Sequence, residues 1–151
     1  MDWLYAQKLP ESDKHWLPED GKSAAVYGRQ VTITYVEAYV FADRFQAPEF
    51  KKAVLQKIST KLVSYSEVIV YAFNHLPGDD ILLELLVDIR CAYYKSGPYE
   101  SWEIEDPKIL PHDFLVRVMV RFCEHGRKVR FDASKYNLDN NEEPDNNYGW
   151  G

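Results

Sequence analysis

The fold is decided by the stretch TITYVEAYVFADRF at residues 32–45. Its polar side chains Thr34, Glu37 and Arg44 are spaced by three and seven residues, and most other positions are apolar. The β-branched residues at its start would also suit a strand, but the run is long and its polar spacing is close to a helical repeat. We therefore predict a buried helix over Thr32 to Phe45. The side chains expected in the core are Ile33, Val36, Tyr39, Val40 and Phe45.

A second and a third helix follow directly. Pro48 suits the first position of a helix, because its missing N–H costs nothing there. Apolar residues then recur every four positions, at Phe50, Val54, Ile58 and Leu62. The next segment begins with Ser64 and Glu67 at the spacing of a capping box and predicts a helix through Val68 to Leu76. Pro77-Gly78 is expected to end it.

Two more helices complete the prediction. Asp79 and Asp80 can cap a fourth helix, and Pro111 can open a fifth that stops near Gly126. The inward residues of the fourth helix are predicted to be Leu82, Leu85, Leu86, Ile89 and Tyr93, with Glu84, Asp88 and Lys95 outside. Those of the fifth helix are predicted to be Leu115, Val118, Met119 and Phe122. The fold class is thus mainly α, a bundle of about five helices.

The ends of the chain have a different composition. Trp3, Leu4 and Tyr5 carry enough apolar surface to need cover from later helices or from another segment. Residues 10–30 are polar and interrupted by Pro and Gly, which predicts a long loop with at most one short element. Beyond Phe131 the chain is rich in Asn and acids, so Asp132 to Gly151 is predicted to be disordered.

The composition of the 151-residue chain limits its class. The net charge of −6 argues against a protein whose main partner is a phosphate backbone, since such binding needs clustered cations. Cys91 and Cys123 stand at unrelated positions in apolar segments, which predicts buried free thiols in a reducing compartment. No run reaches the ~18 to 20 apolar residues of a membrane span. We expect an intracellular protein, in the cytoplasm or the nucleus, that does not enter membranes.

Residues that could carry chemistry are few. Cys91, Cys123 and His125 include zinc-binding residue types but lack the close-spaced pairs of a structural site, so no metal is predicted. Glu84 and Asp88 lie one helical turn apart and are interpreted as a solvated, mildly repulsive surface. No nucleophile, base and orienting group stand in a recognisable spacing, and no glycine-rich phosphate loop is present. We therefore expect neither a cofactor nor enzymatic activity.

One basic concentration lies near the end of the last predicted helix. It consists of Arg117, Arg121, Arg127, Lys128 and Arg130, with Phe122 and Phe131 among them. A stripe of this kind can bind nucleic acid, and a small nucleic-acid-associated regulator is the alternative function. The interpretation we favour is a solvated helix face with ion pairs such as Asp113 to Arg117, one turn apart.

Several motifs together resemble the second half of a BTB/POZ domain of the fungal type. The segment WLYAQKL at residues 3–9 is similar to the "WLYT-x-x-L" segment of that family, and YVEAYVFADRF at 35–45 to its "lYvlAdky" helix. Tyr39, Ala42, Asp43 and Phe45 fall on that pattern. The resemblance extends through Pro48–Ile58 and, in the helical extension of these proteins, through YAF at 71–73, LLVD at 85–88 and LPHDFL at 110–115.

The resemblance implies a non-catalytic protein-interaction module, an adaptor or scaffold. It divides the chain into a partial BTB/POZ-like domain at 1–62, a helical extension at 63–126 and a disordered polar tail at 127–151. The first half of the BTB domain, with its sheet and its share of the dimer and cullin-3 surfaces, is missing from this sequence. We expect the uncovered aromatic surface to bind a protein partner or a second copy. Its residues are Trp3, Leu4, Tyr5, Tyr35 and Tyr39.

Overall fold

The computed structural model describes residues 9, 24–61, 65–93, 107–125 and 131–136. These ranges contain five α-helices and no β-strand, which confirms the mainly helical prediction. Two short 3₁₀ turns, Pro107–Ile109 and Ala133–Tyr136, accompany them. The helices are α1 (Ala24–Arg44), α2 (Pro48–Lys61), α3 (Ser66–His75), α4 (Ile81–Tyr93) and α5 (His112–His125).

Helix α1 is the central element of the bundle. It packs against α2 and α3, while α4 packs against α3 and α5. Tyr35, Val36 and Tyr39 on α1 have no exposed surface, as expected for a helix that is apolar over most of its circumference. The predicted buried positions Phe50, Val54 and Ile58 of α2 also lie in the core. Leu62 lies outside the described residues.

Helix α1 begins earlier than the sequence predicted. Residues 24–30 were expected to belong to a loop, but they form the first two turns of α1. Gly28, which suggested a break, lies at a close approach between helices, where a Cβ would come within 3.4 Å of the Tyr65 hydroxyl. Arg29 then binds Glu67 on α3 at 2.9 Å. Packing against α3 therefore offsets the unfavourable helix propensity of Gly28, which is flanked by good helix formers such as Ala24, Ala25 and Gln30.

The end of α1 also differs from the prediction. Phe45 was expected in the core, but it is exposed and its ring packs against that of Phe41 in a tilted arrangement, with 4.3 Å between ring centroids. The helix closes with a bond from the Ala47 N–H to the Ala42 carbonyl, and Gln46 takes a left-handed φ of 52°. This tight reversal leads directly into α2 and leaves Phe45 on the outside.

The start of α3 is not the predicted capping box. Tyr65 occupies the N-cap in an extended conformation and makes no side-chain capping bond. The helix therefore starts one residue later than the box requires, and Glu67 is too early in the helix to complete it. Glu67 pairs with Arg29 instead, and Ser64 lies outside the described residues. The predicted end is correct, since Leu76 is the C-cap.

A buried carboxylate joins α1, α2 and α4. Asp80 Oδ1 accepts hydrogen bonds from the Leu82 N–H at 2.9 Å and from the Tyr39 hydroxyl at 2.9 Å. Its Oδ2 accepts one from Lys51 Nζ at 2.8 Å, and Lys51 also binds Asp43 at 2.7 Å. Asp80 thus caps α4 as predicted and also holds α4 against α1 and α2.

Part of the polar tail is ordered. Residues 132–136 were predicted to be disordered, yet Ala133–Tyr136 forms a 3₁₀ turn and Tyr136 is buried. The turn packs against α2, and the Tyr136 ring stacks on Phe131, which contacts Tyr93. A single aromatic anchor therefore offsets the unfavourable composition of the surrounding segment.

We predict that Asp80 is among the most sensitive positions for stability. Asp80→Ala removes the cap, the acceptor for Tyr39 and the partner of Lys51, and should lower the free energy of unfolding by about 3 kcal/mol. Asp80→Asn keeps a capping oxygen and should cost about half as much. Urea unfolding followed by circular dichroism measures both. An Asp80→Ala protein within about 0.5 kcal/mol of the wild type would contradict this role.

We also predict a loss of stability at alkaline pH. Burial and the nearby Asp80 charge raise the pKa of Tyr39, and burial and the bond to Asp88 raise the pKa of Tyr136. Burial by itself lowers the pKa of the Lys51 amine, but the hydrogen bonds to Asp43 and Asp80 outweigh this effect and raise the pKa overall. All three groups keep their protons more firmly in the folded state. Their contribution to the free energy of unfolding is therefore fully present below the pKa values of the unfolded chain. It is lost as the pH rises from those values through the higher pKa values of the folded state.

The free energy of unfolding should fall by up to about 1.4 kcal/mol per pH unit for each tyrosine above pH ~10. Urea titrations between pH 8 and pH 11.5 measure this slope, and Tyr39→Phe should reduce it. A slope that is the same in Tyr39→Phe and the wild type would show that the Tyr39 phenol does not contribute.

Candidate functional site

The candidate site is built on α5, whose charged side faces the protein. Phe114 is buried, and the side chains of Arg117 and Arg121 are only 22% and 20% exposed. Val118 and Phe122 are partly buried beside them. The inward side of α5 therefore combines aromatic and aliphatic groups with two arginines, which need carboxylate partners at this depth.

Glu84 on α4 supplies the first of these partners. Its Oε1 accepts from Arg117 Nη1 at 2.8 Å, and its Oε2 accepts from Arg121 Nη2 at 2.6 Å. Arg117 also donates to the Gly78 carbonyl at 2.6 Å and pairs with Asp113 one turn earlier at 2.8 Å. One carboxylate thus holds two successive turns of α5.

Asp88, one turn beyond Glu84, supplies the second partner. It is buried, and its Oδ1 lies 2.5 Å from Arg121 Nη1 in a charge contact without hydrogen-bond alignment. Its Oδ2 accepts from the Tyr136 hydroxyl and from Lys135 Nζ, the latter at 3.0 Å. Glu84 and Asp88 are therefore not the solvated surface that the sequence suggested. The physical reason is that α5 and the Ala133–Tyr136 turn bring three cations onto them.

The opposite side of α5 is exposed and apolar. Leu115, Val116, Met119 and Val120 are 40%, 36%, 62% and 46% exposed, and we call these four residues the outward face of α5. Leu115 and Met119 were predicted to point inward, and that prediction is wrong. Rotating them inward would carry Arg117 and Arg121 away from Glu84 and Asp88. The ion pairs thus fix the rotation of the helix.

The borders of the outward face carry acids and a thiol. Asp113 and Glu124 are exposed, and Cys123 is exposed one turn beyond Met119 and Val120. The other cysteine, Cys91, is buried, and burial raises the pKa of its thiol to about 11. The prediction that both thiols are buried is therefore correct for Cys91 and wrong for Cys123, because the side of α5 that carries Cys123 faces outward.

The residues of zinc-binding type are not assembled into a site. Cys91 is buried, whereas Cys123 and His125 are exposed on α5. Across the residues that the structure describes, no three His, Cys, Asp or Glu side chains could hold a metal ion together. His112 is exposed at the helix start, and the Asp113 carboxylate is held by Arg117.

The interaction residues expected from the sequence have mixed outcomes. Tyr35 and Tyr39 have no exposed surface, so the expectation that they form an uncovered aromatic surface is corrected. Both point into the bundle from α1, where the Tyr39 hydroxyl is satisfied by Asp80. Trp3, Leu4 and Tyr5 lie outside the described residues.

The predicted basic stripe is only partly described. Arg117 and Arg121 are bound to carboxylates, including the predicted pair of Arg117 with Asp113. Arg127, Lys128 and Arg130 lie outside the described residues.

Two residues of the outward face, Val116 and Val120, were missed by the sequence analysis. The sequence does contain an indication of their exposure. Helix α5 carries apolar residues on two opposite sides, and a helix at the edge of a bundle can bury only one side.

Comparison of the chain with protein-family models, with curated proteins and with solved structures finds no match. No helix within the described ranges is both long and apolar enough to cross a membrane.

We predict that Asp88 contributes far more to stability than Asp113, although both carboxylates pair with arginines of α5. Asp88→Ala leaves Tyr136, Lys135 and Arg121 without this acceptor and should cost about 3 kcal/mol of unfolding free energy. Asp113→Ala, the matched control, removes an exposed pair and should cost less than about 1 kcal/mol. Urea unfolding of the two variants measures the difference. Equal losses would contradict the buried role of Asp88.

Proposed function

We propose that this chain is a non-catalytic protein-interaction module and that the outward face of α5 is its interface. The observation that carries the proposal is the orientation of α5, which holds its arginines inward and exposes four adjacent aliphatic side chains. Contiguous exposed apolar residues on a folded protein mark interaction surfaces. A partner that covers them gains on the order of 1 kcal/mol for each side chain.

The composition of this face suits reversible binding. Met119 is its most exposed member, and the flexible thioether of methionine adapts to different partner shapes. The face lies on a regular helix that is anchored to α4 by ion pairs, so little ordering is needed when a partner binds. A rigid apolar helix surface is a common element of helix-mediated recognition.

The BTB/POZ resemblance supports the same class of function, an adaptor or scaffold. In this proposal the partner is bound by α5, within the segment that resembles the helical extension, and not by Tyr35 and Tyr39, which are buried. Nucleic-acid binding through Arg117 and Arg121 has less support, because both guanidinium groups already contact Glu84.

We predict that Met119→Glu removes the apolar binding surface without unfolding the protein. Binding of the neutral dye Nile red should weaken at least about fivefold, because a carboxylate interrupts the face. The free energy of unfolding should stay within about 0.5 kcal/mol of the wild type, since Met119 does not pack in the core. Dye titration and urea unfolding of the same samples provide the two readouts.

Phe45→Glu is the matched control, because Phe45 is an apolar residue of similar exposure in the turn that follows α1. It should retain most of the dye binding. Light scattering across a concentration series completes the test by showing whether the wild type forms a defined complex with itself. A monodisperse monomer that binds no dye, or dye binding that is lost in Phe45→Glu and kept in Met119→Glu, would contradict the proposal.

A further inference from the structure

We propose that the outward face of α5 receives an amphipathic helix of a partner protein whose polar edge is basic. This inference rests on the proposed function and adds the chemistry of the partner. It is carried by the arrangement of the four apolar residues together with the two carboxylates beside them.

The apolar residues form two parallel rows along α5. Leu115 and Met119 are four residues apart, as are Val116 and Val120, so each pair lies on one row of the helix surface. Rows of this kind leave a shallow groove between them, and side chains of a second helix pack into such grooves. The shape of the face therefore suits a helix that presents an apolar stripe.

The charges beside the face are negative. Asp113 and Glu124 are eleven residues apart, close to three full turns, and so lie along the same edge at about 16 Å from each other. Both are exposed, and Glu124 has no ion-pair partner among the described residues. Arg117 is shared between Asp113 and Glu84, and Arg121 is held by Glu84 and Asp88 on the inward side. Glu124 is therefore the carboxylate of this edge that neither arginine neutralises.

A basic partner complements this edge and is also favoured at longer range. The net charge of the chain is −6, which attracts cationic surfaces during diffusional encounter. Lysine or arginine residues along one edge of the partner helix can reach Asp113 and Glu124 while its apolar stripe covers Met119. Rim charges of this kind act mainly on selectivity and on the association rate.

A second copy of this chain is a poorer occupant. In an antiparallel pair of α5 helices the same edges meet, so Asp113 of one copy would face Glu124 of the other. In both copies Arg117 is shared between Asp113 and Glu84, and Arg121 is held by Glu84 and Asp88, so neither arginine neutralises Glu124. Like charges across an interface disfavour that assembly.

The test uses two designed 18-residue helical peptides, one of leucine and lysine and one of leucine and glutamate. The readout is the alkylation rate of Cys123, which is exposed beside the face, whereas Cys91 is buried with its thiol pKa raised to about 11. For each peptide, the alkylation rate of Cys123 without peptide is divided by the rate with peptide. The leucine–lysine peptide should slow alkylation at least fivefold at saturation, and the leucine–glutamate peptide less than 1.5-fold.

Charge reversal then locates the contact. Glu124→Lys should weaken protection by the leucine–lysine peptide at least threefold, because it reverses one end of the acidic edge. Glu37→Lys is the matched control, since Glu37 is an exposed carboxylate on α1 and its reversal changes the net charge equally. It should leave the protection within 1.5-fold of the wild type.

Each remaining outcome has a defined meaning. Equal protection by both peptides that is lost in Met119→Glu would overturn the basic partner and retain the interaction module. A dimer of the wild type that dissociates in Met119→Glu would replace the partner helix with a second copy. If neither peptide protects Cys123 in a Met119-dependent manner, both the partner and the proposed function fail.

Discussion

The pairing of Glu84 and Asp88 with Arg117 and Arg121 is the constraint on which the candidate site depends. These ion pairs join α4 to α5 and select one rotation of α5 about its own axis. Since partly buried guanidinium groups need anionic partners, any rotation that buried the aliphatic side would break all three ion pairs between α4 and α5. The apolar side of α5 is exposed as the direct consequence, with Met119 at its centre.

The sequence predicted the five helices and much of their core, because the helical spacing of apolar residues directly indicates which side of each helix is buried. It succeeded for Phe50, Val54 and Ile58, where one side of α2 is apolar and the other is polar. It failed where local composition was overruled by packing. Gly28 is tolerated inside α1 through its contact with α3, and Tyr136 anchors a segment whose composition resembles a disordered tail.

The candidate site was harder to predict because it depends on contacts between distant residues. The acidic pair on α4 and the basic stripe on α5 were both visible in the sequence, but nothing local shows that Arg121 meets Glu84 and Asp88, more than 30 residues away. Without that pairing, Leu115 and Met119 are naturally assigned to the core. An amphipathic pattern identifies an apolar side but cannot say whether that side is covered by the same chain.

The orientation of α5 can be measured directly by NMR with a soluble paramagnetic probe. We expect strong relaxation enhancement at the methyl groups of Val116, Met119 and Val120, and weak enhancement at the Nε–Hε groups of Arg117 and Arg121. That pattern would establish that the charged side of the helix is inside and the aliphatic side outside. Strong enhancement at both arginines together with protected methyl groups would contradict the account, because α5 would then have the opposite rotation.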